Sequence, residues 1–268
     1  MASTLPSFDC LVSDYRNTAE HNDRLHRVCT EATWADPVLS AHRRHIEEHR
    51  LGFGDPAFHF MWQTLIKAAT QRFGTPRMLE IGVYKGQVIS LWALLALKLN
   101  LDVSISAISP LAGQPQPHSK WRAKLLYRVS RRFREQINNG NFYEDTDYEG
   151  AVRGLFAHWK IDFGRVAMHR GFSTDEKLLR ALRDEIFHIV YVDGDHTFAG
   201  ARHDFLTFGP KVALGGWLVA DDAAFDLPGS VFWKGYETVT EAAKILPSLG
   251  FKNVLNVGHN RIYERVKV

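Results

Sequence analysis

Cysteine is nearly missing from this chain: Cys10 and Cys29 are the only two in 268 residues. No disulfide framework is available, one bridge is the most the pair could form, and a reducing compartment is expected. Long apolar runs are missing too. The most hydrophobic stretch, Val88 to Leu99, is too short to cross a bilayer and contains Lys98, so it reads as a buried helix and no membrane span is expected. The first ten residues show no basic segment followed by an apolar one, which predicts no secretory signal and makes the cytoplasm the expected compartment. Neither charge sign dominates: Lys plus Arg number 33 against 30 Asp plus Glu, a net +3 too small to predict nucleic-acid binding. What is present, 45% hydrophobic and 24% charged residues, excludes disorder, collagen and coiled coil and fits a globular protein with a large core.

Two textures follow each other along the chain. Residues 1–75 are rich in His, Arg and Glu, poor in β-branched residues, and read as a helical extension or lid broken at Gly52 to Pro56. Residues 76–268 alternate short apolar runs with amphipathic stretches, the pattern of parallel strands joined by crossover helices. Expected strands are Arg77 to Gly82, Val103 to Ile108, Arg165 to His169, Ile189 to Asp193 and Trp217 to Asp221. Lys252 to Val257 and Arg261 to Val266, joined by Gly258-His259-Asn260, form an antiparallel edge hairpin. The fold class is therefore α/β: a doubly wound, Rossmann-like, seven-stranded and mostly parallel sheet. An insertion is expected at about 110–160. Within it, Lys120 to Glu135 carries seven Lys or Arg against one Glu, interleaved with Trp121, Leu125, Tyr127 and Phe133, and Glu144 to Glu149 holds four acids in six residues. A solvated amphipathic helix pairing with the acidic half is favoured over an anionic-substrate or RNA contact, because charge runs are usually solvent-facing.

The chemistry-bearing residues cluster at strand ends. The first strand runs into Leu79-Glu80-Ile81-Gly82-Val83-Tyr84-Lys85-Gly86, a glycine turn leading to a helix N-terminus where unsatisfied amides gather. Its E-x-G-x-x-x-G spacing is not the dinucleotide fingerprint, and no acid near the second strand's end could hold an NAD ribose. Two further strands end in Asp193-Gly194-Asp195 and Asp221-Asp222. In a doubly wound sheet these four carboxylates gather beside Glu80 at the carboxyl edge, on strands ~4.8 Å apart. Like charges at about 4 Å repel by roughly 4 kcal/mol at an effective dielectric near 20, so the cluster must raise carboxyl pKa values or bind a cation, and oxygen donors suit Mg²⁺, Mn²⁺ or Ca²⁺. Single aspartates at strand ends often serve only as turn residues and helix N-caps; four ending two adjacent strands argue for more.

On these residues the chain resembles the class I S-adenosylmethionine-dependent methyltransferases: Glu80-x-Gly82 with Gly86, Val192-Asp193-Gly194-Asp195-His196, and Gly215-Gly216 with Asp221-Asp222. The branch it looks most like holds the metal-dependent sugar O-methyltransferases of macrolide and aminocoumarin biosynthesis, with the resemblance covering residues 76–268. It implies that Glu80, Gly82, Val83, Tyr84 and Gly86 line the methionine and ribose end of S-adenosylmethionine. It further implies that Ser173 meets the adenine edge, that Asp193 serves the cofactor side, and that Asp193, Asp221 and Asp222 hold a divalent metal such as Mg²⁺. Asp195 becomes the general base, with His196 assisting. The acceptor implied is a small hydroxylated molecule; a homo-oligomer is compatible with the sequence.

Two residues depart from that family pattern: Ser109 stands where an acid usually clasps the ribose hydroxyls, and Val88 where a hydroxyl residue often follows the glycine loop. They keep two other readings open, a metal-independent RNA or small-molecule methyltransferase and a non-catalytic binding protein of the same fold. His45-Ile46-Glu47-Glu48-His49 matches the inverted zinc-protease motif H-x-x-E-H, but it sits in the polar extension with no third ligand following, so His42, His45 and His49 are expected to form a polar helix face.

Overall fold

The computed structural model describes residues 6–112, 119–138 and 146–267. Seven strands, β1 (Arg77–Ile81), β2 (Ser104–Ser109), β3 (Val166–Arg170), β4 (Phe187–Val192), β5 (Val212–Ala220), β6 (Phe251–Val257) and β7 (Asn260–Arg265), form one sheet in the order β3-β2-β1-β4-β5-β7-β6. The first five are parallel; β7 runs antiparallel to both β5 and β6. The order reverses between β1 and β4, which makes their carboxyl ends the switch point of the doubly wound sheet.

Side-chain alternation sorts the strands onto two cores. Met78, Ile189, Tyr191, Trp217 and Val219 point to one face, Leu79, Ile81, Val190, Val192 and Leu218 to the other. The second face is covered by α9 (Glu176–Ala181), α10 (Phe198–Phe208) and α11 (Glu237–Ala243). On the first lie α5 (Gln87–Leu99), α8 (Tyr148–His158) and the four N-terminal helices α1 (Phe8–Asp14), α2 (Ala19–Ala35), α3 (Pro37–His49) and α4 (Ala57–Phe73). Residues 8–73 pack directly on this face of the sheet. Phe8 meets Trp217 edge-on at 5.4 Å and Trp62 of α4 meets Trp92 and Tyr191 at 4.9 and 5.1 Å, so the extension completes the sheet's own core. Local chemistry marks its helix boundaries: the Asp36 carboxylate accepts the Val38 and Leu39 amides, and Pro37 occupies the first turn of α3.

Three expectations are corrected. Strand β5 begins at Val212, not Trp217, because Gly215 (φ 75°) and Gly216 let it bulge where the register against β4 slips between Phe187 and Ile189. His42 is not on a polar face: it is fully buried, its ring bonded to His59 at 3.0 Å and to Ser90 Oγ at 3.0 Å. The basic segment is not one helix. It splits at Ser130 into α6 (Lys120–Val129) and α7 (Arg131–Asn138), and Glu149 pairs with Arg153 and Arg170. Glu144 and Asp145 lie outside the described residues. Cys10 and Cys29 are both free thiols. Among the described residues no helix is long and apolar enough to cross a membrane.

Candidate active site

Backbone hydrogen bonds carry the sheet ladder one residue past each strand: Gly82 N–H to Ile108 O, Asp193 N–H to Ile81 O and Asp221 N–H to Val192 O, at 2.9–3.0 Å. The glycine turn and both aspartate loops are thereby held side by side at the carboxyl edge. They open into a cavity of about 720 Å³. Of the residues singled out from sequence, Glu80, Gly82, Val83, Tyr84, Ser109, Ser173, Asp193, Asp195, His196, Asp221 and Asp222 line it. Gly86 does not: at φ 90° it turns the chain into α5, and its α-carbon faces Val152 instead.

Gly82 shows why a glycine stands in the turn. Its φ is 94°, and a Cβ built there would lie 1.9 Å from the Asp193 carbonyl oxygen. Tyr84 (φ 47°) and Asp222 (φ 54°) also hold left-handed backbone, at a cost of about 1–3 kcal/mol each, strain of the kind that collects at functional sites.

The electrostatics are those of carboxyls forced together. Glu80 is buried, its Oε2 without a hydrogen-bond partner among the described residues, and burial followed by the Asp193 charge pushes its pKa well up. Lost hydration and the neighbouring Asp222 raise Asp193 to about 8; burial and Asp193 raise Asp221 strongly, and burial and Asp221 raise Asp222. Asp221 Oδ1 and Asp222 Oδ1 are buried and unpartnered among the described residues. Donors of this kind fit a divalent cation, which would repay both the desolvation and the repulsion.

Two imidazoles face the carboxyls. His196 Nε2 lies 3.5 Å from Asp193 Oδ1 and 3.4 Å from Asp222 Oδ2, its ring stacked on Tyr236 and its carbonyl accepting the Thr238 hydroxyl. His259 Nε2 lies 3.5 Å from Asp221 Oδ1 and 3.4 Å from Asp222 Oδ1; burial pushes this imidazole down to about 3, so it is neutral. Asp195 is exposed and its Oδ1 accepts the Thr197 amide, the turn-and-cap arrangement common for aspartate at a strand end. Ser109 lines the cavity, and its Oγ accepts the Leu111 amide at 3.2 Å.

Sequence reasoning missed His259, Trp233, Tyr236 and the wall built by Phe53 of the α3–α4 connection with His59 and Trp62 of α4. For His259 a signal existed. If β7 pairs antiparallel with β5, the turn before β7 must lie where β5 ends, beside Asp221.

Parallel strands in this order, a glycine turn at the switch point and acids ending β4 and β5 define the class I S-adenosylmethionine-dependent methyltransferases. The chain belongs to the family described as "Methyltransferase domain", whose model matches residues 79–223. Solved structures share the fold at low identity. The O-methyltransferase NovP is 14% identical over 78% of this chain and 79% of its own, with a TM-score of 0.53. The calicheamicin methyltransferase CalS11 is 13% identical over 98% and 99%, TM-score 0.55. An SAH-bound methyltransferase of Podospora anserina, PaMTH1, is 14% identical over 99% of both chains, TM-score 0.51. No curated protein matches the chain.

Proposed function

We propose that this protein transfers a methyl group to a hydroxyl oxygen of a small natural-product or sugar-type metabolite, with a divalent cation at the carboxyl cluster and the cytoplasm as its compartment. The observation that carries the reading is the cavity itself: it is lined by a glycine turn too tight for any side chain and by the carboxyls of Glu80, Asp221 and Asp222, each with a buried oxygen that has no hydrogen-bond partner among the described residues. Its volume, about 720 Å³, suits a nucleoside-sized cofactor and a small acceptor together. The kinship of fold with NovP, an O-methyltransferase, and CalS11, a calicheamicin methyltransferase, is in keeping with such an acceptor.

S-adenosylmethionine supplies an activated methyl with its own leaving group. The chain's residues then have three tasks: to align the acceptor oxygen, to exclude water and to take the hydroxyl proton. The backbone at Gly82 would pass close to the cofactor, Glu80 and Ser109 offer hydrogen-bonding groups to it, and Ser173 lines the same cavity two residues after Gly171, whose amide donates to the Ser109 carbonyl. Phe53, Trp62 and Trp233 form apolar walls. Asp193, Asp221 and Asp222 would hold the cation, which lowers the pKa of a hydroxyl it ligates. Of the two candidate proton acceptors, His196 points its Nε2 at the cluster, whereas Asp195 spends one oxygen on its own loop, so His196 takes the proton and Asp195 orients the loop.

Calorimetric titration with S-adenosylmethionine should give saturable binding, and ligand at 100 times Kd should stabilise the protein by about 3 kcal/mol. Incubation with a panel of glycosides and phenols should then place one methyl on an acceptor oxygen by mass spectrometry, with Asp221→Ala/Asp222→Ala removing any dependence on added cation. No heat at high micromolar cofactor would end the cofactor reading; turnover unchanged in the double variant would end the metal reading.

A further inference from the structure

The β6–β7 turn brings an imidazole into the carboxyl cluster that the family pattern of three aspartates does not include. Because β7 runs antiparallel to β5, with Ala220 paired to Arg261, the residue preceding Asn260 must lie at the carboxyl edge. A backbone bond from Ala223 N–H to His259 O at 3.0 Å clamps the turn to the segment after β5. The ring is fixed from both sides, edge-on to Phe58 at 4.5 Å and to Trp233 at 5.1 Å, and is only 7% exposed.

Asp221, Asp222 and His259 form the one group among the described residues in which three potential ligand atoms lie within 4.8 Å of one another. The oxygens paired with His259 Nε2 are the same Oδ1 atoms that are buried and have no hydrogen-bond partner among the described residues. The imidazole nitrogen thus lies 3.4–3.5 Å from both carboxylate oxygens, and all three buried donor atoms fall within 4.8 Å of one another. Donors bound at about 2.0–2.2 Å around one small ion are spaced by roughly 3.0–3.5 Å. Asp193 is not one of the three donors of this group.

We propose that His259 is a metal ligand alongside Asp221 and Asp222, and that this mixed nitrogen–oxygen set takes a borderline transition ion such as Mn²⁺, Fe²⁺ or Co²⁺ in preference to Mg²⁺ or Ca²⁺. The inference rests on the cation in the proposed function and goes beyond it in ligand and in ion. Its physical basis is ligand softness: carboxylate and water suit hard ions, whereas an imidazole favours later divalent metals along the Irving–Williams order. Trp233 and Phe58 also keep bulk water from the nitrogen, so a strongly hydrated Mg²⁺, which sheds water reluctantly, gains little from this side of the site.

The test uses the purified full chain with metal chlorides alone. Pulsed electron paramagnetic resonance of the Mn²⁺-loaded protein should show nitrogen hyperfine coupling that survives His196→Ala and disappears in His259→Ala. Titrations should give Co²⁺ an affinity at least about tenfold above that of Mg²⁺, with His259→Ala weakening Co²⁺ by about 10–100-fold and Mg²⁺ by under threefold. The wild-type spectrum needs no variant, so a His259→Ala protein that fails to fold does not shield the proposal. Mn²⁺ bound without nitrogen coupling overturns the ligand assignment alone. Failure of every ion to bind at millimolar concentration overturns it together with the metal half of the proposed function, while cofactor binding is measured separately.

Discussion

At Gly82 a single hydrogen atom in place of a side chain keeps the β1 turn and the Asp193 loop in contact, since a methyl group there would sit inside the Asp193 carbonyl. Gly82→Ala should cost about 1–3 kcal/mol from the left-handed backbone alone, more from the clash, and should abolish S-adenosylmethionine binding. Denaturant unfolding and calorimetry on one sample check both. The glycine and the acids at the ends of β1, β4 and β5 were legible because strand-end residues announce themselves in sequence as small or charged residues after apolar runs. His42 and His59 were not. A histidine's burial depends on which helix packs over it, and here α4 and α5 close over α3 to make a His59–His42–Ser90 chain.

The strands were readable as elements, to within one or two residues except β5, because apolar runs of five to nine residues bounded by Gly, Pro and Asp leave few other structures. The hairpin was readable too, but the direction in which it joins the sheet decides whether His259 faces the cavity, and that is a property of β5 and β7 together. The α6–α7 hairpin is the opposite case. Trp121, Leu125 and Val129, spaced along one side of α6, remain 69%, 45% and 71% exposed, so the body of the protein does not depend on them. Replacing residues 119–138 by a short Gly/Ser linker should therefore leave thermal unfolding within a few degrees of wild type, a change of about 1 kcal/mol or less. Gln136 lines the cavity, so acceptor turnover should fall while cofactor affinity holds, a split visible in KM for the two substrates.

The whole fold carries buried carboxyls, and these set its pH response. Asp204 on α10 is almost fully buried; burial raises its carboxyl to about 6, only partly offset by a hydrogen bond with Ser173. An unfolded carboxyl titrates near 4, so this group imposes no penalty below pH 4, a growing one as pH rises from 4 to 6, and a constant one above. Asp204→Asn, which mimics the protonated form, should match wild type near pH 4 and exceed it at pH 7 by about 2–3 kcal/mol, read from urea midpoints at the two pH values. At the same scale the N-terminal helices, which composition marked as a helical extension, share a core with the sheet: α4 is buried continuously from Ala57 to Ile66, and Phe8, Leu25 and Cys29 of α1 and α2 join the same apolar cluster.

Sequence alone determined the doubly wound sheet, the glycine turn and the meeting of aspartates at its carboxyl edge, because strand periodicity and strand-end chemistry are local and the sheet's connection rules are few. Tertiary structure decided that His259 joins those aspartates, that Gly86 leaves the cavity and that the N-terminal helices wall it. Each of these depends on how distant elements are oriented against one another, and the pairing of β5 with β7 or of α4 with α5 is written in no single stretch of chain.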